Sequence, residues 1–247
     1  MRYLVLSDIH GNLEALDACL ADARQRGFDT TLVLGDLVGY GADPNTVIAR
    51  VRALAPRAIV RGNHDKVASG IEPPEGFNAV ARAAVEWTLA ALTPENRTWL
   101  ADLPRGPVAV DDLVEICHGT PFDEDAYVFD ETDALRALAT SSRPLCLYGH
   151  THNPATFSLA NQTLDHPPRT DRAVVHLQLK QNVKYLVNPG AVGQPRDGNP
   201  KAAYAIVDTT ARDVELVRVE YDIGAAQGKV IDAGLPELLA RRLTAGR

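Results

Sequence analysis

Short apolar runs recur along the chain, and the early ones alternate with stretches of helical periodicity. The first run, residues 3–6, is too short for a helix and stops at Ser7-Asp8. Residues 12–27 then place Leu13, Leu16, Leu20 and Ala23 on one helical face, with Asn12 as N-cap and Gly27 as the stop. A second apolar run covers residues 31–34. Asp43-Pro44 has the form of a helix start, an N-cap followed by proline at N1, and Val47, Ile48, Val51 and Leu54 continue it. Residues 58–60 supply a third strand. Strands that are continuously apolar and separated by helices predict a parallel sheet covered on both faces.

Residues 77–103 are helical in pattern, with Pro94 breaking them into two helices. Residues 113–117 and 145–148 read as further strands, with a helix over 131–139 between them. Beyond His152 the texture changes. Residues 173–180, 184–187, 202–207 and 214–221 look like consecutive strands joined by turns, which predicts a second, more antiparallel sheet. A helical tail follows, with Pro236 at its N1 position. The absence of repeats, low-complexity stretches and flexible linkers predicts one domain over residues 1–247.

Composition narrows the class. With 45% hydrophobic and 23% charged residues the chain is of ordinary globular type, long enough to bury a core without disulfide or zinc staples. Its 32 acids against 25 bases give a net charge of −7, which argues against a protein that binds nucleic acid by covering phosphates with lysine and arginine. No apolar run approaches the ~20 residues of a membrane span, and the N-terminal one is too short for a secretory signal. The three cysteines, Cys19, Cys117 and Cys146, are odd in number and lack CxxC spacing, so they read as buried thiols in a reducing compartment. A cytoplasmic enzyme or binding protein is expected.

The candidate chemistry lies just after the strands. The first ends in Ser7-Asp8-Ile9-His10-Gly11-Asn12 and the second in Gly35-Asp36. The third ends in Arg61-Gly62-Asn63-His64-Asp65, and the later two in Cys117-His118-Gly119 and Gly149-His150-Thr151-His152-Asn153. In a parallel sheet all five segments reach the carboxyl edge, where open α/β folds build their sites. Carboxylates, imidazoles and one amide, with no thiolate pair, form a nitrogen and oxygen donor set suited to Mn, Fe, Zn or similar divalent ions. There are too many donors for one ion and about enough for two. One carboxylate must then bridge, and Asp36, alone on its segment, is the natural choice. Two ions ~3.5–4 Å apart favour in-line hydrolysis of phosphoesters.

Asp8-x-His10, Gly35-Asp36, Gly62-Asn63-His64-Asp65, His118 and Gly149-His150-x-His152 stand in the order and context of the calcineurin-like metallophosphoesterases, from residue 1 to about 207. Together with Gly35-Asp-Leu-Val-Gly39-Tyr40-Gly41 and the segment 188–196, the chain most resembles the small prokaryotic phosphodiesterase branch. That resemblance implies an α/β fold in the form of a four-layer α-β-β-α sandwich of two mixed β-sheets. It places Asp8, His10, Asp36 and His152 on one metal and Asp36, Asn63, His118 and His150 on the other. It also puts His64 on the substrate side, stabilising phosphoryl oxygen or protonating the leaving oxygen. A hydroxide between the metals would be the nucleophile, with no covalent intermediate and a small phosphoester as substrate. The chain departs from the protein-phosphatase branch, whose Gly-Asp-x-x-Asp-Arg-Gly motif has Gly39 and Tyr40 in place of its second acid and arginine. The partner that orients His64 is therefore open, with Asp65 a candidate.

Several positions keep two readings. Asn12 is a helix cap or a substrate contact. Arg61 reaches a phosphate or makes a surface ion pair, and Arg196 either belongs to a tight turn or is offered to substrate from a loop bordering the site. The six acids within 123–133 form a solvated loop or fringe the site, and Tyr127 and Phe129 within it are candidates to stack on a base. For the whole chain the alternative to an enzyme is a scaffold that keeps the fold and binds partners, as the retromer subunit of this superfamily does with its ligand residues lost. All ligand positions are filled in this chain, which favours the enzyme. A nuclease would call for a basic groove, and none is visible.

Overall fold

The computed structural model describes residues 1–167 and 172–247. The chain begins β1 (Arg2–Leu6), α1 (Leu13–Arg26), β2 (Thr30–Val33), α2 (Pro44–Ala53), β3 (Ala58–Ile59) and α3 (Asn63–Ser69). It continues α4 (Ala79–Ala91), α5 (Pro94–Ala101), β4 (Val108–Ala109), β5 (Val114–Ile116), α6 (Glu131–Thr140) and β6 (Leu145–Leu147). Then come β7 (Ala155–Ala160), β8 (Thr163–Asp165), β9 (Val174–Gln178), β10 (Lys184–Asn188), β11 (Ala202–Asp208) and β12 (Asp213–Val219), and the helices α7 (Ile223–Asp232) and α8 (Glu237–Ala245) close it.

The strands form two six-stranded mixed sheets, ordered β3-β2-β1-β11-β12-β9 and β4-β5-β6-β10-β7-β8. In the first, β1, β2 and β3 are parallel and β11 lies antiparallel beside β1, with Tyr3 opposite Val207. In the second, β5, β6 and β10 are parallel and β7 and β8 antiparallel. Successive side chains on β1 explain its unbroken apolar run. Tyr3 and Val5 pack between the sheets against Val114, Ile116 and Tyr185, while Leu4 and Leu6 pack outward with Leu16 and Leu20 of α1. On the outer face of the second sheet, Cys146 and Leu186 meet Ala134 and Leu138 of α6. Helix, sheet, sheet and helix make the expected four-layer sandwich, and all three cysteines are buried and unpaired as disulfides. No helix among the described residues is long and apolar enough to cross a membrane.

The structure redistributes the later strands. Residues expected to form a separate antiparallel sheet are divided, with β9, β11 and β12 extending the first sheet and β10 joining the second. β11 is buried along nearly its whole length and so occupies a central position between β1 and β12. The β7–β8 hairpin turns through Asn161 and Gln162, both at positive φ (48° and 65°), and its strands interrupt apolar residues with Thr156, Ser158 and Thr163, so no continuous apolar run marks them. Asn12 and Gly27 do cap α1. Asp43 makes no side-chain cap, because its carboxylate accepts from Lys229 Nζ at 2.7 Å and ties α2 to α7. The tail is the two helices α7 and α8, and Pro236 is the N-cap of the last one rather than its N1 residue. They pack Val230, Leu235 and Leu239 against Tyr40, Ala81 and Ala84, which brings the tail alongside the β2–α2 loop.

Candidate metal centre

The parallel strands of both sheets end at a common edge, and the loops leaving them are laced together there. Asp8 N–H donates to Gly35 O (3.1 Å), and His150 N–H donates to Asp8 Oδ1 (3.1 Å), joining the two sheets. Asp8 and His10 follow β1, Asp36 follows β2, and Asn63 opens α3. His118 follows β5, and His150 and His152 follow β6. The rim is therefore built by two sheets meeting, where a single carboxyl edge was expected. Five of these residues have left-handed backbone: Asp8 (φ 52°), His10 (51°), Asp36 (52°), His150 (65°) and His152 (57°). A residue with a Cβ gives up about 1–2 kcal/mol in that region, and strain of this kind gathers at functional sites. Gly62 contributes by having no side chain: a Cβ there would collide with Asp36 Oδ1.

The donors fall into two overlapping groups, Asp8, His10, Asp36 and His152, and Asp36, His118 and His150. Within each group the ligand atoms lie within 4.8 Å of one another, and all these residues are buried. Their hydrogen bonds test whether cations fit. His10 Nδ1 donates to Val38 O (3.0 Å) and His152 Nδ1 to Gln194 O (2.7 Å), so their Nε2 lone pairs face each other at 3.1 Å. His118 Nδ1 donates to Leu34 O (2.8 Å), which leaves Nε2 at 3.3 Å from Asn63 Oδ1 and 3.5 Å from Asp36 Oδ2. The facing Nε2 lone pairs of His10 and His152 repel, and a cation turns that repulsion into ligation, whereas at His118 the carboxylates already draw a positive charge, a proton or a metal ion. Asn63 joins the second group through the same oxygen. The donor set fits divalent cations, and Asp36 is common to both groups.

Protonation agrees with this chemistry. Burial lowers His10 to about 4 and His150 to about 3, and holds His152 and His64 well below the usual histidine range. These rings are neutral, the state in which imidazole binds metal. Burial lifts Asp8 to about 6, with the nearby Asp36 adding to it. Burial also acts to raise Asp36, but His118, His64 and His10 outweigh it and hold the carboxyl well below its usual range. At His118 burial opposes charging, and the carboxylates of Asp36 and Asp8 override it, pushing the ring up to about 10. The carboxylate pair draws a positive charge to this spot.

His64 is held by shape rather than by an acid. Its ring sits 4.4 Å from Tyr40, 4.6 Å from Phe77 and 4.8 Å from His10, centroid to centroid, and its buried Nδ1 has no hydrogen-bond partner. Asp65 does not orient it, correcting the expectation. Its Oδ1 accepts from Leu37 and Val38 N–H (2.9 and 3.3 Å) and its Oδ2 from Gly62 N–H (2.9 Å), fixing the loops instead. Gly39 abuts the ring at φ 89°, where any Cβ would overlap His64 Nδ1. Gly39→Ala is expected to cost about 1–3 kcal/mol of stability and to displace His64. Denaturant midpoints and turnover measured together check this, and a variant equal to wild type in both would show that the contact is slack.

Three candidate substrate contacts resolve differently. Asn12 is engaged at both ends, Oδ1 accepting from Ala15 N–H (3.1 Å) and Nδ2 donating to Gly193 O (2.9 Å), so it caps α1 and ties that helix to the Gly193 loop. Arg61 forms a two-pronged bond to Glu124, 3.0 Å at each prong, and so makes the ion pair rather than a phosphate contact. Arg196 does lie at the site. Its loop supports Asp8 through Gly193 N–H to Asp8 O (2.9 Å) and His152 through Gln194 O. The acidic loop also borders the centre, since Asp125 O is 3.1 Å from His150 Nε2 and the Tyr127 ring stacks on His150 at 3.8 Å.

That loop is anchored by Lys66, which is 1% exposed and donates to Asp125 (2.6 Å), Glu72 (2.9 Å) and Glu124 (3.5 Å). The acids Glu72, Glu124 and Asp125 also cluster closely enough for a cation, and the ammonium already supplies one. Lys66→Met should destabilise the fold by about 1–3 kcal/mol, below the figure for a sealed pair because two partners are half-exposed. Burial acts to raise the Glu124 carboxyl, but its bonds to Arg61 and the charge of Lys66 hold it below the usual range. Its contribution is fully present above the unfolded value of about 4.3 and is lost as pH falls through the lower folded value. Glu124→Gln should therefore flatten the loss of stability below about pH 4, which an acid denaturation series would reveal.

The centre opens into a cleft of about 710 Å³ whose walls include Asp36, Asn63, His64, His150, Tyr127 and Arg196. Tyr40, Phe77 and Arg242, which also line it, were not singled out as site residues, because only packing of distant segments brings them there.

A two-sheet sandwich carrying paired Asp and His donors at its shared edge is the architecture of a metallophosphoesterase. The chain belongs to the calcineurin-like phosphoesterase superfamily, whose domain profile matches residues 1–212. An uncharacterized protein of Methanocaldococcus jannaschii is 37% identical over 248 residues, covering 98% of this chain and 97% of that one. The crystal structure of a metallophosphoesterase from Sphaerobacter thermophilus superposes with a TM-score of 0.86 at 39% identity, covering both chains completely. A hypothetical protein of Pyrococcus horikoshii shares the fold, with a TM-score of 0.79 at 22% identity over 100% of this chain and 98% of that one.

Proposed function

We propose that this protein is a dinuclear metal-dependent phosphoesterase that hydrolyses small phosphodiesters or monoesters. The observation that carries the reading is Asp36, a buried carboxylate common to two donor groups, in the first of which His10 and His152 turn their free Nε2 atoms toward each other. Two divalent ions bound there would supply Lewis acidity toward a phosphoryl oxygen and lower the pKa of water. Asp8, His10 and His152 would hold one ion, Asn63, His118 and His150 the other, and Asp36 both.

The remaining work falls to the chain. His64, walled in by Tyr40 and Phe77 with its Nδ1 unpartnered, would donate an Nε2–H hydrogen bond to a phosphoryl oxygen as the neutral ring, and would protonate the leaving oxygen only after taking up a second proton to become imidazolium. Asn63 positions the same oxygen from the first turn of α3. Arg196 faces the substrate cleft from the loop that also buttresses His152. Cys117 and Cys146 are fully buried, so neither thiol is a candidate nucleophile.

The test is hydrolysis of bis-p-nitrophenyl phosphate and of p-nitrophenyl phosphate. Activity is expected with Mn²⁺, lost on treatment with EDTA and restored by returning the metal. A metal-replete protein inert toward every phosphoester offered would instead fit a scaffold with this fold.

A further inference from the structure

Several cations of this acidic protein are held by carboxylates. Arg2 pairs with Asp208, Arg26 with Asp22 and Glu215, Arg61 with Glu124, and Lys229 with Glu14 and Asp43. Three arginines line the cleft without a carboxylate side-chain partner among the described residues, and Arg196 and Arg242, unlike the exposed Arg247, are partly withdrawn from solvent. Arg196 is half-buried and donates only to neutral oxygens, Tyr40 Oη (3.2 Å) and Gln194 Oε1 (3.0 Å). Arg242, in the last turn of α8, is also half-buried and has no carboxylate partner among the described residues. A cation there suits the helix dipole, yet that leaves unexplained why it lines the cleft while its neighbour Arg241 pairs with Glu237 in solvent. The acids on the cleft wall offer no compensation, since Lys66 holds Glu72 and Asp125, and Asp36 belongs to the metal groups.

We propose that Arg196 and Arg242 form a second anion subsite, so that the preferred substrate is a small phosphoester bearing a further phosphate or carboxylate. A half-buried guanidinium held only by neutral oxygens or a helix end keeps its charge uncompensated, and a bound anion supplies charge-assisted bonds. The subsite lies on one side of the centre. The Arg196 guanidinium is 5.6 Å from the Tyr40 ring, which is 4.4 Å from His64, whereas Tyr127 stacks on His150 at the other side. This inference rests on the proposed phosphoesterase reading. In that reading His64 serves the leaving oxygen, so the second anion belongs on the leaving alcohol.

Calorimetric titration of the metal-loaded protein, dialysed free of unbound metal, tests it with propylphosphonate, 3-phosphonopropionate and propane-1,3-bisphosphonate. The two doubly anionic probes should bind on the order of tenfold or more tighter than propylphosphonate, with the advantage shrinking as salt is raised. The tighter of the two tells whether phosphate or carboxylate is the natural second group. Arg196→Gln and Arg242→Gln should each bring the affinity ratio toward one, and Arg241→Gln should leave it as in wild type. Equal binding of all three probes by the wild type, or a ratio that survives both cleft substitutions, would overturn the subsite and leave the phosphoesterase reading standing. If the metal-loaded protein bound no phosphonate and hydrolysed no ester, both would fall together.

Discussion

Asp36→Asn is expected to remove metal and activity together. The carboxylate serves both donor groups: Oδ2 lies 3.5 Å from His10 Nε2 and 3.5 Å from His118 Nε2, and Oδ1 accepts the His64 N–H at 2.9 Å. Asparagine keeps the size but halves the acceptor oxygens, brings an NH₂ toward the cations and removes the charge that neutralises them. Loss of an outer-sphere partner alone commonly weakens metal binding by about 10–100-fold, so loss of a shared ligand should exceed about a hundredfold, with turnover falling at least as far. Elemental analysis after gel filtration and a diester assay on the same sample check both quantities. A variant that kept two ions, or kept its activity without them, would remove Asp36 from the centre.

His64→Ala separates the chemistry from the metal. In the proposed roles His64 holds no ion, so metal content should match wild type, while turnover falls by about 10²–10⁴-fold, the usual span for a positioned acid or base. The ring is also packing, buried among Tyr40, Phe77 and His10, so alanine leaves a hole. His64→Gln fills more of that space and retains a polar end without an imidazole's proton affinity. Both variants should show the same split between retained metal and lost rate. Loss of metal in both would instead place His64 among the ligands, and undiminished turnover would remove it from the reaction.

The donors were legible because each follows a short apolar strand, and parallel strands bring such positions to one edge whatever their separation along the chain. Asp8, Asp36 and His118 could be read this way without knowing which sheet each belonged to. That same indifference is why the division into sheets was not legible. β9 and β10 are adjacent in sequence, yet β9 pairs with β12 at the edge of the first sheet and β10 lies between β6 and β7 in the second. The hairpin of β7 and β8 has mostly half-buried strands, and its register follows from a turn of Asn161 and Gln162 that local pattern alone does not mark. Asn12 was ambiguous because the residue that caps a helix is also one that can meet a substrate. The cap is made, and the second bond of Asn12 reaches Gly193, a residue 181 positions away. The surroundings of His64 were hidden for a similar reason: Tyr40, Phe77 and Arg242 come from three segments whose meeting depends on how α7 and α8 pack against the β2–α2 loop.

The central claim is a pair of cations sharing Asp36. Anomalous diffraction from crystals soaked in Mn²⁺, collected at the manganese edge, addresses it directly. Two peaks ~3.5–4 Å apart on either side of the Asp36 carboxylate are expected, one in contact with Asp8, His10 and His152 and the other with Asn63, His118 and His150. No peak at this edge of the sheets in metal-saturated crystals, or one that leaves the Asp36 carboxylate free, would contradict it.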